Sequence, residues 1–478
     1  MLLIFFLLAC LVVSNAFSPR LNSRIASVLN KQSVLRSSSV AVESEKKANP
    51  VATATLGIST VNLVKNCVGS GIFSLNSRVA AISTAPAVLL PTTALVVGMA
   101  IWATYNFVMI GETCKLTKSS TYGEAWRRTV SEKSEWIIQA VVLIAPIVTC
   151  LASTIVLTDI LSMSMRGIGA PLTLYGNRNL VIALLGSIIL YPLCILQDLS
   201  AFKAVSAVGL LGHFSAMAVF AIRILDKSYV LGGKYNPIIA KTIIKTAAKP
   251  AATAAATAAV VTPVASKWFI VASILSYCFQ AHYNAPRYYY ELKDKDKDPL
   301  KFTKLTAISY LFISTITMGT VSLALKLFGS NSQSFALNSF NANDPLAFIA
   351  RLAFGTSVLA SFPLVFLAMR DWFVKRMIPF IPNNTREKVA GLLLLFICGL
   401  ATVVKDLGIV ASISGGVLGT SMMFVFPPIM YMRALIKKSK ETGAKLDTKT
   451  ILLNTLLLIC GTGLGLFGTI SNLLALKK

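Results

Sequence analysis

Charged residues are scarce in this chain. Only 13% of its 478 residues are Asp, Glu, Lys or Arg, whereas a soluble globular domain carries about 25%. Apolar residues make up 55% of the chain, and the mean hydropathy is +0.71. Because so few charges cannot cover a water-facing surface, the composition excludes a large soluble enzyme. It predicts an integral, multi-pass membrane protein whose main solvent is a lipid bilayer.

Acidic residues, histidines and paired cysteines are scarcer still. The chain has 19 Asp and Glu residues, compared with 45 Lys and Arg, and only two His. Its eight Cys form no C-x-x-C pair. Most of the Cys lie inside apolar runs, where cysteine behaves as a small hydrophobe. The sequence therefore offers little for hydrolytic or metal chemistry, and its cysteine spacing predicts neither a zinc site nor a disulfide framework. We predict that the protein is not an enzyme and carries no metal and no cofactor.

The formal net charge of +26 does not indicate nucleic acid as a partner. Lys and Arg lie mainly in short loops between apolar runs, which is the distribution that the positive-inside rule describes. Most of the Lys and Arg residues in these loops fall on one side of the membrane if the mature amino terminus lies there, although one long loop on the other side, around residues 226–266, is also basic. We call the side of the amino terminus the in side, and we predict that the carboxyl terminus lies on the opposite, out side.

The first 50 residues are predicted to direct the protein to its membrane. Leu2–Val13 is an unbroken apolar run that is too short to span a bilayer, and small residues precede a cleavage position at Phe17. We predict a signal peptide over residues 1–16. A basic, serine-rich, transit-peptide-like disordered segment follows over residues 17–50.

The junction Ser14-Asn15-Ala16-Phe17-Ser18-Pro19 resembles the bipartite plastid presequences of algae with secondary plastids, in which a phenylalanine opens the transit part. The resemblance implies a plastid membrane. A plain signal peptide followed by a cytosolic or lumenal tail is the alternative, and it would place the protein in the plasma membrane or an endomembrane.

One transmembrane domain is predicted over residues 51–478. A loop over residues 226–266 contains the Ala- and Thr-rich tract Ala247–Val261, which we interpret as an exposed linker. Hydropathy predicts eleven spans, numbered in order, near 56–80, 84–111, 135–161, 179–196, 201–225, 267–290, 302–328, 345–369, 389–404, 407–434 and 450–475.

Two of these spans contain residues that interrupt a helix. Span 1 has Gly69, Ser70 and Gly71 at its middle, and span 6 has a polar run with Asn284 and Pro286. Glycine loosens a helix, proline removes a backbone donor, and an opened backbone in lipid must line a protein-enclosed cavity. Spans 1 and 6 are five apart, as expected for inverted repeats of spans 1–5 and 6–10. The pattern predicts a substrate site between two discontinuous helices; close packing at the glycines and an ordinary proline kink are the alternative.

Several motifs along residues 50 to 475 resemble the amino acid/auxin permease (AAAP) family of the APC superfamily. The resemblance implies an all-α membrane protein with a 5+5 inverted-repeat, LeuT-like architecture. Two features depart from the family pattern: Asn76 stands where the family usually has proline, and the presequence is foreign to most members. The motifs are Asn66-Cys-Val-Gly-Ser-Gly-Ile-Phe-Ser-Leu75, Thr121-Tyr-Gly-Glu124, Phe279-Gln-Ala-His-Tyr-Asn-Ala-Pro-Arg-Tyr-Tyr-Tyr-Glu-Leu292, Ser361-Phe-Pro-Leu364 followed by Arg370, and Phe426-Pro-Pro428.

An amino acid brings a carboxylate and an ammonium group to the middle of the membrane, and both need partners. We expect the freed N–H groups of Gly69, Ser70 and Gly71, at a half-helix terminus, to bind the carboxylate. Carbonyl groups from Cys278 to Gln280 would accept the ammonium group, together with the side chain of Asn66. The side chains expected to shape the pocket are Phe73, Tyr277 and Phe279.

The coupling ion is predicted to be a proton or sodium. For a proton, His282 is the best-placed group, because histidine changes charge near neutral pH; a hydrogen-bonded structural role is the alternative. For sodium, the candidate ligands are the hydroxyl groups of Thr356, Ser357 and Ser361 on span 8, with back-bonding to their own helix as the alternative.

Two lysines lie inside predicted spans, where a charge is costly and tends to face a cavity or a partner. Lys203 stands in for a bound cation beside spans 1 and 8, or else extends its charge to the membrane surface. Lys65 is expected to pair with Asp159.

The predicted function is secondary active transport of amino acids by alternating access. A membrane sensor that binds amino acid and signals through a partner is one alternative. A carrier of an auxin-like acid or an amine is another.

Overall fold

The computed structural model describes residues 55–195, 205–236, 264–292, 299–377, 385–443 and 445–476. The predicted targeting segment, the tract Ala247–Val261 and Lys203 lie outside these ranges. Within them the chain contains helices, turns and loops, with no β-strand.

Seventeen helices are described, and three π-helical turns continue some of them. The turns are Leu185–Leu190 between α7 and α8, and Gly415–Gly419 and Ser421–Val425 between α15 and α16. The helices are α1 (Leu56–Cys67), α2 (Ile72–Ala80), α3 (Leu89–Thr117), α4 (Tyr122–Thr129), α5 (Glu135–Gly167), α6 (Leu172–Tyr175), α7 (Arg178–Leu184), α8 (Tyr191–Ile195), α9 (Val205–Leu225), α10 (Val264–Cys278), α11 (Ala285–Glu291), α12 (Pro299–Phe328), α13 (Pro345–Met377), α14 (Thr385–Val403), α15 (Leu407–Ser414), α16 (Phe426–Thr442) and α17 (Thr448–Leu476).

Eight helical segments among the described residues are long and apolar enough to cross a membrane. A helix satisfies its own backbone groups, so it is the form in which such apolar runs enter lipid. The eight are Pro86–Thr117, Glu132–Gly167, Arg178–Ile195, Val264–Glu291, Pro299–Asn331, Pro345–Val374, Leu407–Thr442 and Thr448–Leu476.

Predicted spans 1, 5 and 9 are not among the eight, and each differs for a physical reason. Span 1 is divided into α1 and α2, which have 12 and 9 residues. Span 5 is represented by the shorter apolar helix Gly209–Leu225. The helix of span 9, α14, carries Arg386, Glu387 and Lys388 in its first turn, so its apolar part is short.

The two helices of the interrupted span 1 pack against longer helices of the domain. α1 packs against α12 and α9, and α2 packs against α12 and α10. Two apolar cores adjoin them: one includes Phe107, Phe279 and Tyr310, and the other includes Phe73 and Phe354.

Span 10 is distorted next to α10 because two prolines follow the π-helical turns. Pro427 cannot donate to the carbonyl group of Met423, four residues earlier. The side-chain amide of Asn106 on α3 donates to that carbonyl instead, at 2.7 Å. Gly415 lies directly against the carbonyl oxygen of Ser273 on α10, where no side chain would fit. The two backbones therefore approach more closely than ordinary helix packing allows.

The loop between α12 and α13 is fastened by buried ionic groups. Arg351 donates to the carbonyl groups of Leu337 and Phe340, and its side chain is fully buried. Asp344, also fully buried, accepts from Arg223 and from the hydroxyl group of Tyr229. The loop is thereby held against α9 and α13.

Candidate functional site

The interruption of span 1 lies between α1 and α2. Helix α1 ends at Cys67, Val68 has φ −78° and ψ 94°, and α2 begins at Ile72. The backbone N–H groups of residues 69–71 donate to no carbonyl group of the described backbone. These three donors precede the amino terminus of α2, where the helix dipole favours a negative group. The arrangement suits a carboxylate.

The interruption of span 6 lies between α10 and α11. Helix α10 ends at Cys278, a 3₁₀ turn covers His282–Asn284, and α11 begins at Ala285. The carbonyl group of Phe279 accepts the hydroxyl group of Tyr310 at 2.9 Å. One of the three carbonyl groups expected to bind an ammonium group therefore already has a donor from α12.

The two interruptions contact each other at Gly71. A Cβ atom built on this glycine would lie 2.7 Å from Cδ1 of Tyr277 and 3.0 Å from Sγ of Cys278. The backbone of Gly71 has φ −58°, which any residue adopts. Space, and not conformation, therefore requires glycine here. The unwound part of span 1 lies directly on the last turn of α10.

The aromatic residues predicted to shape the pocket point in different directions. Tyr277 is half-buried beside Gly71. Phe73 is fully buried, with its ring centroid 4.5 Å from that of His213 and 4.8 Å from that of Phe354. Phe279 is fully buried as well. Tyr277 is the one of the three predicted residues that combines partial exposure with contact to the opposite interruption.

The two amides of the predicted site differ in exposure. Gln280 is half-buried, and its amide donates to Sδ of Met422 at 3.2 Å. Asn66 is exposed on the last turn of α1. Whether either amide contacts substrate stays a prediction.

His282 forms a hydrogen bond to the backbone. It is fully buried, and its Nε2 lies 3.0 Å from the carbonyl oxygen of Ala103 on α3. Because a carbonyl oxygen only accepts, Nε2 carries the proton and donates. This hydrogen bond connects span 6 to span 2, which agrees with the alternative that His282 has a hydrogen-bonded structural role. Proton coupling through His282 stays a prediction.

The three hydroxyl groups predicted as sodium ligands have different surroundings. Thr356 is exposed and donates to the carbonyl group of Leu352, and Ser361 donates to that of Ser357. Ser357 is buried and donates to the carbonyl group of Gly209 on α9 at 3.1 Å. Of the three, only Ser357 joins different helices.

The predicted pairing of Lys65 with Asp159 is wrong. The ammonium group of Lys65 lies 3.3 Å from Oγ of Ser357. Asp159 instead forms an ion pair with Arg178 and accepts the side-chain amide of Asn338 at 2.8 Å. Lys65 is attached near the middle of span 1, whereas Asp159 lies toward the carboxyl-terminal end of α5.

A polar cavity of about 500 Å³ lies at that end of α5. Arg78 at the end of α2 forms an ion pair with Asp406, which precedes α15, at 3.3 Å. Ser334 also donates to Asp406, at 2.6 Å. These contacts join span 1, span 10 and the loop before α13. The cavity is lined by Ser77, Arg78, Asp159, Ser332, Gln333, Ser334, Phe335, Asn338, Lys405, Asp406 and Leu407.

The structure brings two further residues, His213 and Tyr310, to the interruptions. The ring of His213 on α9 packs against Phe73 at a tilt of 32°, and its Nε2 lies 3.0 Å from Oγ1 of Thr320. Tyr310 on α12 donates to the carbonyl group of Phe279. As one of only two histidines, and inside an apolar span, His213 carried a signal that composition could have revealed. Tyr310 carried none.

Comparison with known proteins adds a family relationship. The family described as "transmembrane amino acid transporter protein" matches residues 52–473 of the chain. The human "sodium-coupled neutral amino acid transporter 7" is 23% identical over 408 residues, which cover 81% of each chain. The Arabidopsis thaliana "amino acid transporter AVT6C" is 22% identical over 427 residues, covering 83% of this chain and 91% of the relative.

Among solved structures, a substrate-bound, outward-open Na⁺-coupled sialic acid symporter aligns with a TM-score of 0.47 and 13% sequence identity. The alignment covers 88% of this chain and 90% of the symporter.

Proposed function

Because the chain belongs to the transmembrane amino acid transporter family, we propose that it is a secondary active carrier of amino acids, driven by a proton or sodium gradient. We further propose that its domain has eleven spans, with spans 1–5 and 6–10 as inverted repeats. The observation that carries the proposal is the contact between the two interrupted helices at Gly71 and Tyr277. Paired interruptions at matching positions are where such carriers bind substrate.

The proposed binding mode uses backbone groups for the two charges of the substrate. The N–H groups of residues 69–71, at the amino terminus of α2, bind the carboxylate. The carbonyl groups of Cys278 and Gln280 accept the ammonium group. Tyr277, which lies directly against Gly71 and precedes Cys278 in the chain, contacts the substrate side chain. Backbone recognition of the charged ends leaves amino-acid selectivity to the few side chains near the break.

The proposed alternating access would open and close contacts that join helices on the predicted out side. Arg78 and Asp406 connect the end of α2 to the start of span 10, and Asn338 connects the loop before α13 to Asp159 on α5. Opening toward that side requires these partially exposed contacts to separate. Such contacts suit a closure that forms and breaks in each cycle, because exposed ion pairs are worth at most about 1 kcal/mol each.

Uptake by proteoliposomes tests the transport proposal. We expect vesicles that contain the purified protein to accumulate at least one labelled amino acid faster when a pH or sodium gradient is imposed. Vesicles without protein provide the control. An absence of gradient-stimulated flux for every amino acid tested would remove the transport proposal. Saturable binding in that case would favour the sensor, whereas flux of an auxin-like acid or amine alone would identify that carrier class.

The location that we propose is a plastid membrane, on the basis of the bipartite amino-terminal composition. We expect residues 1–50 fused to a fluorescent protein to reach the plastid of an alga with a secondary plastid. A fusion of residues 17–50 alone, without the apolar run, should stay in the cytosol. Secretion of the longer fusion would contradict the plastid proposal and leave a plain signal peptide.

A further inference from the structure

Lys65 links three helices through its ammonium group. It lies on the last turn of α1, three residues before the interruption of span 1. Its Nζ is 3.3 Å from Oγ of Ser357 on α13. Ser357 in turn donates its proton to the carbonyl oxygen of Gly209 on α9 at 3.1 Å. The Ser357 oxygen is therefore the acceptor for Lys65 in a continuous chain of hydrogen bonds.

Space for the Lys65 side chain is provided by glycine on α9. A Cβ atom on Gly209 would overlap Cε of Lys65 and would lie 2.7 Å from its Cδ. One turn later, a Cβ on Gly212 would lie 2.6 Å from the carbonyl oxygen of Ala353 and 3.0 Å from Cβ of Ser357. The two glycines let α9 approach both α1 and α13. The lysine stem lies in the space that the missing side chain of Gly209 leaves on α9.

The ammonium group has no acidic partner among the described residues. The acidic residues Asp159, Asp344 and Asp406 form their ion pairs with arginines instead. The neighbouring titratable group on α9 is His213, one turn after Gly209, and its Nε2 is bonded to Thr320. A lysine charge within a span normally requires a partner or a cavity. Here its resolved partner is the hydroxyl group that the sequence predicts as a sodium ligand.

We propose that the Lys65 ammonium group is a resident cation at the junction of α1, α9 and α13, and that the carrier therefore works without sodium at Ser357. The proposal rests on the proposed function. A sodium ion bound to the same oxygen would lie within a few ångströms of the ammonium group. Repulsion between two like charges at that distance, in partly buried surroundings, weakens binding on the order of a hundredfold or more. Lys65 is thus a specificity-determining residue for the coupling ion.

The test compares sodium with choline at equal ionic strength, in two independent assays. For the wild-type protein we expect amino-acid uptake to change by less than about twofold when choline replaces sodium, and we expect no sodium-specific rise in the melting temperature of the purified protein. For Lys65→Ala, which vacates the cation position, we expect a sodium-specific rise in melting temperature, since a ligand that binds only the folded state stabilises it. Lys437→Ala, which removes an exposed lysine from α16, should behave like the wild type.

Each outcome decides the proposal. Stimulation of wild-type uptake by sodium of about tenfold would overturn it. So would a rise in the wild-type melting temperature with sodium that is absent from the Ser357→Ala variant. A folded Lys65→Ala protein that ignores sodium would also overturn it, because no cation position would then exist. If Lys65→Ala does not fold, the wild-type responses alone decide. If the wild type shows no uptake under any condition, the proposed function fails separately, and the melting temperatures still decide whether Lys65 excludes sodium.

Discussion

Replacing Gly71 with valine is expected to lower amino-acid uptake at least tenfold while leaving folded protein in the membrane. The added Cβ would lie 2.7 Å from Tyr277 and 3.0 Å from Cys278, and valine adds two further methyl groups. Overpacking of this kind costs about 1–3 kcal/mol, which a large membrane domain tolerates. The two interruptions would be pushed apart where the substrate is proposed to bind. The measurements are initial uptake rates in proteoliposomes, and the amount and melting temperature of the purified protein.

Gly98→Val provides a matched control for this substitution. Gly98 lies in the third turn of α3, and a Cβ built there meets nothing within 4 Å. The control therefore adds the same side chain to a helix without a steric conflict, and it should retain wild-type uptake. Full activity of Gly71→Val beside an active control would contradict the assignment of the substrate site to this contact. Loss of folded protein in Gly71→Val alone would indicate a structural role.

The positions of both interruptions could be predicted because their causes are local. Gly69 and Gly71 weaken the helix within span 1, and Pro286 removes a donor within span 6. The structure has α1 ending at Cys67 and α10 ending at Cys278. A helix break depends on residues within one or two turns, so the amino-acid sequence alone contains the information.

Helix geometry also indicates which way the side chain of Phe73 points, and it differs from the predicted place of Phe73 in the pocket. It follows Gly71 by two residues, which rotates it by about 200° around the axis of α2. If Gly71 faces Tyr277, Phe73 must face away, and the structure places it against His213 and Phe354. The same argument separates Thr356 from Ser357: adjacent helical residues differ by about 100°, and only Ser357 faces α9.

The partner of Lys65 could not be predicted in this way. Pairing Lys65 with Asp159 relied on opposite charge alone. The actual neighbour, Ser357, is 292 residues away and reaches Lys65 because the glycines of α9 allow α1 and α13 to approach. Which helices are neighbours depends on the packing of the whole domain, and one sequence does not contain a local signal for it.

Replacing Asp344 with alanine is expected to destabilise the protein by about 3–5 kcal/mol, because removing one partner leaves the other charge buried and uncompensated. Its carboxylate accepts from Nε of Arg223 at 3.0 Å and from the hydroxyl group of Tyr229 at 2.9 Å. It also accepts from the backbone N–H of Leu346 at 3.0 Å, in the first turn of α13. The substitution therefore removes a buried ion pair and a helix cap together. The free energy of unfolding in detergent, or the melting temperature, measures the effect.

The matched control is Arg287→Ala, which breaks an exposed ion pair. The Arg287 side chain is 72% exposed and pairs with Glu291 one turn later on α11, so its loss should cost only about 0.3–0.5 kcal/mol. Asp344→Asn separates the two parts of the Asp344 effect. It keeps an oxygen for the α13 cap but removes the charge that faces Arg223, so it should recover only the capping part, typically about 1 kcal/mol. Equal stability of Asp344→Ala and Arg287→Ala would contradict a fastening role for the buried carboxylate. The loop before α13 would then be held by the Arg351 hydrogen bonds to Leu337 and Phe340 instead.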